Sequence, residues 1–72
     1  MEFITIETEY IKLGQFLKFA NVVTDGIEAK IMIKNEEVYV NEEICTVRGK
    51  KLYDGDLVRV EGSDIEYKVV GA

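Results

Sequence analysis

Apolar residues recur along this 72-residue chain with two different periods. Over residues 3–7 they alternate with polar ones. Ile4 and Ile6 share one side and Phe3, Thr5 and Glu7 the other, which predicts a short strand. From about residue 12 to residue 22 the period lengthens. Leu13, Phe16, Leu17 and Ala20 stand at i, i+3, i+4 and i+7, one face of a helix, while Lys12, Gln15, Lys18 and Phe19 fall off that face. Gly14 lies in the first turn, where it lowers helix propensity for no reason visible in the composition. Thr24-Asp25-Gly26 breaks the pattern, and Asp25 followed three residues later by Glu28 resembles a capping arrangement. A second helix is therefore expected over roughly residues 27–34. Ala29, Met32 and Ile33 would face the core, with Lys30 and Lys34 on one exposed edge.

Alternation returns over residues 37–41, with Val38 and Val40 on one side and Tyr39 on the other. Asn41-Glu42 reads as a turn, after which Ile44 and Thr46 resume a strand. Leu57, Val58 and Val60 mark another strand, Gly62-Ser63-Asp64 a turn, and residues 65–70 the last strand. Proline is absent, so glycine supplies the punctuation. The order strand, helix, helix, then several strands predicts an α+β domain over residues 1–72, with two helices packed on one side of a small antiparallel sheet.

Composition narrows the function. The chain is 47% hydrophobic, with three phenylalanines and four tyrosines, enough for a compact core near the lower size limit of independent folding. No apolar run reaches 18 residues, so no membrane partner is expected. Met1-Glu2-Phe3-Ile4-Thr5 does not read as a signal peptide. A lone Cys45 cannot form an internal disulfide, and a cytoplasmic location is expected. Histidine is absent, which removes the commonest general base and the commonest metal ligand. The carboxylates are scattered through polar positions. Neither a catalytic residue, nor a metal or other cofactor, nor a small-molecule substrate is expected.

Charge supplies the candidate site. The chain carries net charge -5, yet residues 46–51 hold Arg48, Lys50 and Lys51 and no acid. Screening acts over about 8 Å at physiological salt, so a clustered patch can attract an anion while the rest of the surface stays acidic. Arginine offers phosphate a planar fork and lysine a mobile point charge, and Gly49 lets the backbone come near a ligand. Lys12, Gln15 and Lys18, with Phe19 at the edge, add a polar-basic helix face that suits phosphates and an exposed base. Lys30 and Lys34 extend this surface if the helices pack side by side. The pattern points to an anionic partner, RNA above others. The plain alternative is a solvated basic turn balanced by Asp54 and Asp56. Tyr39 and Tyr53 could stack bases, but such residues more often cover a sheet face or a turn. Cys45 reads as a small core residue, and Asp54-Gly55-Asp56 as a turn rather than a metal loop.

In order, Ile11-Lys12-Leu13-Gly14-Gln15-Phe16-Leu17-Lys18, Glu28-Ala29-Lys30, Val38-Tyr39-Val40-Asn41 and Arg48-Gly49-Lys50-Lys51-Leu52-Tyr53-Asp54-Gly55-Asp56-Leu57-Val58 resemble the S-four RNA-binding domain, named after ribosomal small-subunit protein four. More narrowly, the chain resembles its small stand-alone bacterial members of the YaaA/YbcJ type, over about residues 4–70. The resemblance implies an αL-type fold and binding to structured RNA, often ribosomal, and leaves open whether the RNA is in a ribosome or its precursor or is a free transcript. It implies a site on the face carrying Lys12, Gln15, Lys18, Lys30, Lys34, Arg48, Lys50 and Lys51, and no catalytic group. Two positions depart from the family pattern. Ile27 stands where a second glycine is usual, and Glu42 where Asn-Gly usually completes the turn. Glu42 should strain a tight type I′ turn, so a different turn is expected there. Two other functional classes compete. One is an adaptor that docks its basic patch on an acidic protein surface. The other is a ubiquitin-like sulfur carrier of the ThiS type, which needs a Gly-Gly end where this sequence reads Val69-Val70-Gly71-Ala72.

Overall fold

The computed structural model describes residues 1–71; Ala72, the last residue of the expected domain, lies outside them. In chain order the elements are β1 (Glu2–Thr5), β2 (Ile11–Lys12), α1 (Leu13–Phe19), α2 (Gly26–Lys34), β3 (Val38–Val40), β4 (Glu43–Ile44), β5 (Lys51–Leu52), β6 (Leu57–Val60) and β7 (Glu66–Val70). Five strands form one sheet in the order β1-β7-β6-β3-β4, and β2 pairs with β5 in a separate antiparallel ribbon. The large sheet is mixed. β1 joins β7 in parallel, Ile4 opposite Val69, whereas the other pairings are antiparallel. Alternation shows that Ile4 and Ile6 face the core, but it carries no information about which strand they join.

Both helices pack on one face of this sheet. Leu13, Phe16 and Leu17 from α1 and Ala29 and Ile33 from α2 are buried with Val38, Val40, Val58, Val60, Tyr67 and Val69 from the strands. Phe16 meets Tyr67 edge-on at 6.2 Å between ring centroids, joining α1 to β7. Met32 and Cys45 pack on the edge of this core as partly buried residues, and Ile11 and Ala20 do the same.

α2 begins as the sequence predicts: Asp25 accepts a hydrogen bond from the Glu28 amide at 2.8 Å. α1 is shorter than the periodicity suggests. Lys12 is extended and belongs to β2, and the helix stops at Phe19. Asn21 turns left-handed (φ 61°), the Val22 amide reaches the Leu17 carbonyl and the Asn21 amide reaches that of Lys18. This is a Schellman closure. α2 ends in the same way with Glu36 left-handed (φ 60°) and hydrogen bonds from the Glu36 and Glu37 amides to Ile33 and Met32. Each helix thus ends without the glycine that would have announced its end. Ile27, the first departure from the family pattern, is accommodated on the outer side of α2 at 73% exposure.

The tight turn after β3 does form, against expectation. Val40 pairs with Glu43, so only Asn41 and Glu42 make the loop, and both are left-handed, with φ 51° and 73°. Asn41 holds it: its Oδ1 accepts from the Leu57 amide at 2.9 Å and its Nδ2 donates to Asp56 at 3.1 Å. Thr46 lies beyond β4 in a loop rather than in the strand. Among the described residues no helix is long and apolar enough to cross a membrane.

Candidate functional site

The amides that open a helix have no partner within it. At α1 the N-cap Lys12 makes no side-chain cap. The basic loop supplies partners instead: the Leu13 amide donates to the Lys50 carbonyl at 2.8 Å and the Gly14 amide to the Arg48 carbonyl at 3.0 Å. The loop closes on itself through a Val47–Lys50 turn, whose Lys50 amide reaches the Val47 carbonyl at 3.1 Å. Its hydrogen bonds to the start of α1 are thus made by backbone, and its cationic side chains remain exposed.

This contact explains Gly14. A Cβ at that position would lie 2.7 Å from Arg48 Cγ and 3.3 Å from its Cδ, so only glycine lets the arginine stem cross the first turn of α1. A concavity of about 310 Å³ opens beside this crossing, lined by Lys12, Gly14, Gln15, Lys18, Gly26, Arg48 and Gly49. Four residues expected in the site thus meet in one place, with three glycines around them and no carboxylate in the lining. Gly26 and Gly49 have open space where a Cβ would stand and lie outside the left-handed region. Packing within the chain does not require glycine at either position.

The other expected residues distribute around this concavity. In the β2–β5 ribbon Lys12 stands directly opposite Lys51, two like charges on neighbouring strands, which repel unless something offsets them. Lys51 Nζ lies 4.8 Å from the centre of the Tyr10 ring, which in turn packs on Tyr53 at 5.9 Å. Phe19, 60% exposed, lines a neighbouring groove with Tyr10, Ile11, Lys12 and Gln15. Lys50 lines a hollow of different composition with Asn41, Glu43, Ile44 and Cys45. Lys30 and Lys34 follow Gly26 at one and two turns of α2, exposed, but line neither groove.

The two acids expected to balance the loop have other partners. Asp54 accepts from the Gly71 amide at 2.9 Å, and Asp56 accepts from the Tyr53 amide at 2.8 Å as well as from Asn41. They tie the Asp54-Gly55-Asp56 turn, with Gly55 left-handed (φ 94°), to its neighbours. Among the described residues no cluster of three metal-ligating side chains exists. Tyr39 lies on the sheet face away from the helices. Arg59 stacks on its ring at 4.2 Å, and its hydroxyl donates to Glu61 at 2.6 Å. That hydrogen bond holds the phenol above its ordinary pKa. Desolvation and the Glu61 charge add to the effect, and the Arg59 charge opposes it. Tyr10, which lines the neighbouring groove and lies under Lys51, was not singled out by the sequence, although an aromatic directly before a basic helix start is a usable signal.

Over residues 4–70 the chain matches the S4 domain family. A protein of Bacillus subtilis (strain 168) named "Probable ribosome maturation protein RlbA" is 52% identical over 59 residues, covering 82% of this chain and 83% of that protein.

Proposed function

Because this chain belongs to the S4 domain family, we propose that it is a non-enzymatic RNA-binding module acting in ribosome maturation. The observation that carries the reading is the concavity between α1 and the basic loop. Lys12, Lys18 and Arg48 line it with no acid among them, in a chain of net charge -5. Phosphate is the anion that such a site suits. Arginine offers it two parallel donors, lysines add point charge, and the bare Cα atoms of Gly26 and Gly49 allow close approach of a bulky backbone. A lysine pair opposed across the β2–β5 ribbon adds positive potential next to it.

On this reading the cations contact phosphates and position the RNA, and shape rather than base sequence sets most of the affinity. Structured ribosomal RNA is the substrate class. The family match supports this reading; nothing in it supports the sulfur carrier. Crosslinking the protein to RNA in cells, recovering it under denaturing conditions and sequencing the attached RNA tests it. Enrichment of one region of ribosomal RNA is expected. No RNA above a charge-matched control would overturn the reading in favour of the adaptor.

A further inference from the structure

Two grooves share the Lys12–Gln15 wall and differ in everything else. The first holds cations and glycines. The second, about 600 Å³, is lined by Thr8, Glu9, Tyr10, Ile11 and Phe19 besides the shared pair. It continues into a hollow of about 510 Å³ lined by Ile6, Ile11 and Phe19 together with Thr5, Glu7 and Thr8. We infer that this second groove is a slot for one unpaired nucleobase, with the Phe19 ring as its stacking surface. The inference rests on the RNA-binding reading and adds to it a class of target: RNA with a bulged or looped-out nucleotide beside the phosphates held in the first groove.

Charge and shape divide the two grooves between the two halves of a nucleotide. A phosphate entering the second groove would meet Glu9, with Glu7 beyond it, against the shared Lys12 alone, whereas the first groove offers Lys12, Lys18 and Arg48 and no acid, so the anion belongs in the first. A base is uncharged, flat and apolar on its faces, with polar edges. The second groove offers a ring face, aliphatic side chains, the Gln15 amide, and the Thr8 hydroxyl as an acceptor, its proton being donated to the Tyr10 carbonyl at 2.8 Å. Phe19 is 60% exposed although it closes a helix whose preceding apolar residues Phe16 and Leu17 are wholly buried. On α1, Gln15 and Phe19 are four residues apart and so lie side by side, about 5–6 Å between Cβ atoms. The step from the shared wall to the ring is thus within reach of one nucleotide. The base must be unpaired, because paired bases in an RNA helix present no free face.

Binding of the full chain to two probe RNAs tests this: a hairpin carrying a single-nucleotide bulge, and the same hairpin fully paired. Stacking is tolerant of base identity, so the bulged base need not be the natural one. The wild type should prefer the bulged hairpin by about 5- to 100-fold. Phe19→Ala should abolish the preference while keeping the affinity and salt dependence for the paired hairpin, and Phe19→Trp should retain it. A 2-aminopurine placed at the bulge should be quenched by the wild type and not by Phe19→Ala. Equal binding of both hairpins by the wild type, or equal losses on both in Phe19→Ala, would overturn the slot and leave the RNA-binding reading standing. Binding to neither hairpin would overturn both. A photo-crosslinker at position 19 that joins only protein in cells would replace the base with an apolar side chain of a partner.

Discussion

Two turns stand a few residues apart, and the fold uses them in opposite ways. The Tyr53–Asp56 turn has backbone bonds to Val69 at both Gly55 and Asp56, and its charged side chains add to them: Asp54 and Asp56 accept backbone amides, and Asp56 also takes the Asn41 amide group. The Val47–Lys50 turn is tied down by backbone, through carbonyls that cap α1, while Arg48 and Lys50 stay exposed. Charge that holds a fold together is already compensated. Charge that the fold does not need, gathered in a loop whose position is fixed by other means, is available to a partner. The comparison says which side chains can be altered without unfolding the domain.

The largest effect should come from reversing the unneeded charge. Lys12→Glu, Lys18→Glu and Arg48→Glu together should weaken binding to a structured RNA about 100-fold or more. If four or five phosphates are engaged, log K falls against log salt with a slope of roughly -3 to -4, and the triple variant should flatten it by about 2 to 3. Thermal stability should change little, because exposed substitutions away from packed features seldom matter. Asp56→Ala should do the reverse. Losing two hydrogen bonds to a partly exposed carboxylate should cost about 1–2 kcal/mol, or roughly 5–15 °C in Tm. RNA affinity measured well below Tm should be unchanged. A triple variant that unfolds, or an Asp56→Ala protein that loses RNA while folded, would erase the distinction between the two turns.

Gly14→Ala sharpens the comparison because it alters no charge. The new methyl would stand 2.7 Å from Arg48 Cγ, so the arginine stem must leave the first turn of α1. Alanine gains helix propensity of up to about 1 kcal/mol over glycine, which offsets part of the crowding. Stability should therefore move by less than about 1 kcal/mol, while RNA binding falls by about 5- to 10-fold, as in Arg48→Ala. Combining Gly14→Ala with Arg48→Ala should add little further loss of binding, since both remove the same contact.

The pair also shows what could be read from the chain beforehand. The core faces of α1 and α2, the Asp25–Glu28 cap and the alternation of β3 were legible because each depends on residues within one or two turns of one another. The interruption at Gly14 was visible, but its cause, Arg48, is distant in sequence and adjacent only in the fold. The parallel partner of β1 and the two-residue strands β2 and β5 left no local signature either. Charge alone picked out candidate cations but could not say that Lys50 turns to a different hollow from Arg48. The end of α1 was misjudged because Asn21 occupies a left-handed position where glycine would have given the signal, whereas α2 ends at Lys34 as the periodicity indicates.

Glu42 is the same problem at a turn, and it yields a smaller prediction. Its φ of 73° in a two-residue hairpin strains a residue with a Cβ, while the Asn41 clamp to Leu57 and Asp56 keeps the turn in place. Glu42→Gly should stabilise the domain by about 1 kcal/mol, several degrees in Tm, with RNA affinity nearly unchanged.

The smallest expected effect concerns Tyr39, whose hydroxyl the fold uses through Glu61 on the face away from the grooves. Its phenol titrates above the ordinary value of 10.0 because the hydrogen bond to Glu61 favours the protonated form. A group whose pKa is raised on folding contributes stability that is whole below its unfolded pKa and is lost as pH climbs through the folded one. The Tyr39 contribution is therefore constant at neutral pH and disappears only above about pH 10. Tyr39→Phe should flatten the alkaline limb of stability against pH, with RNA binding at neutral pH unaltered. Loss of RNA binding in that variant would mean that the open face of the sheet, and not only α1 and its loop, meets the ligand.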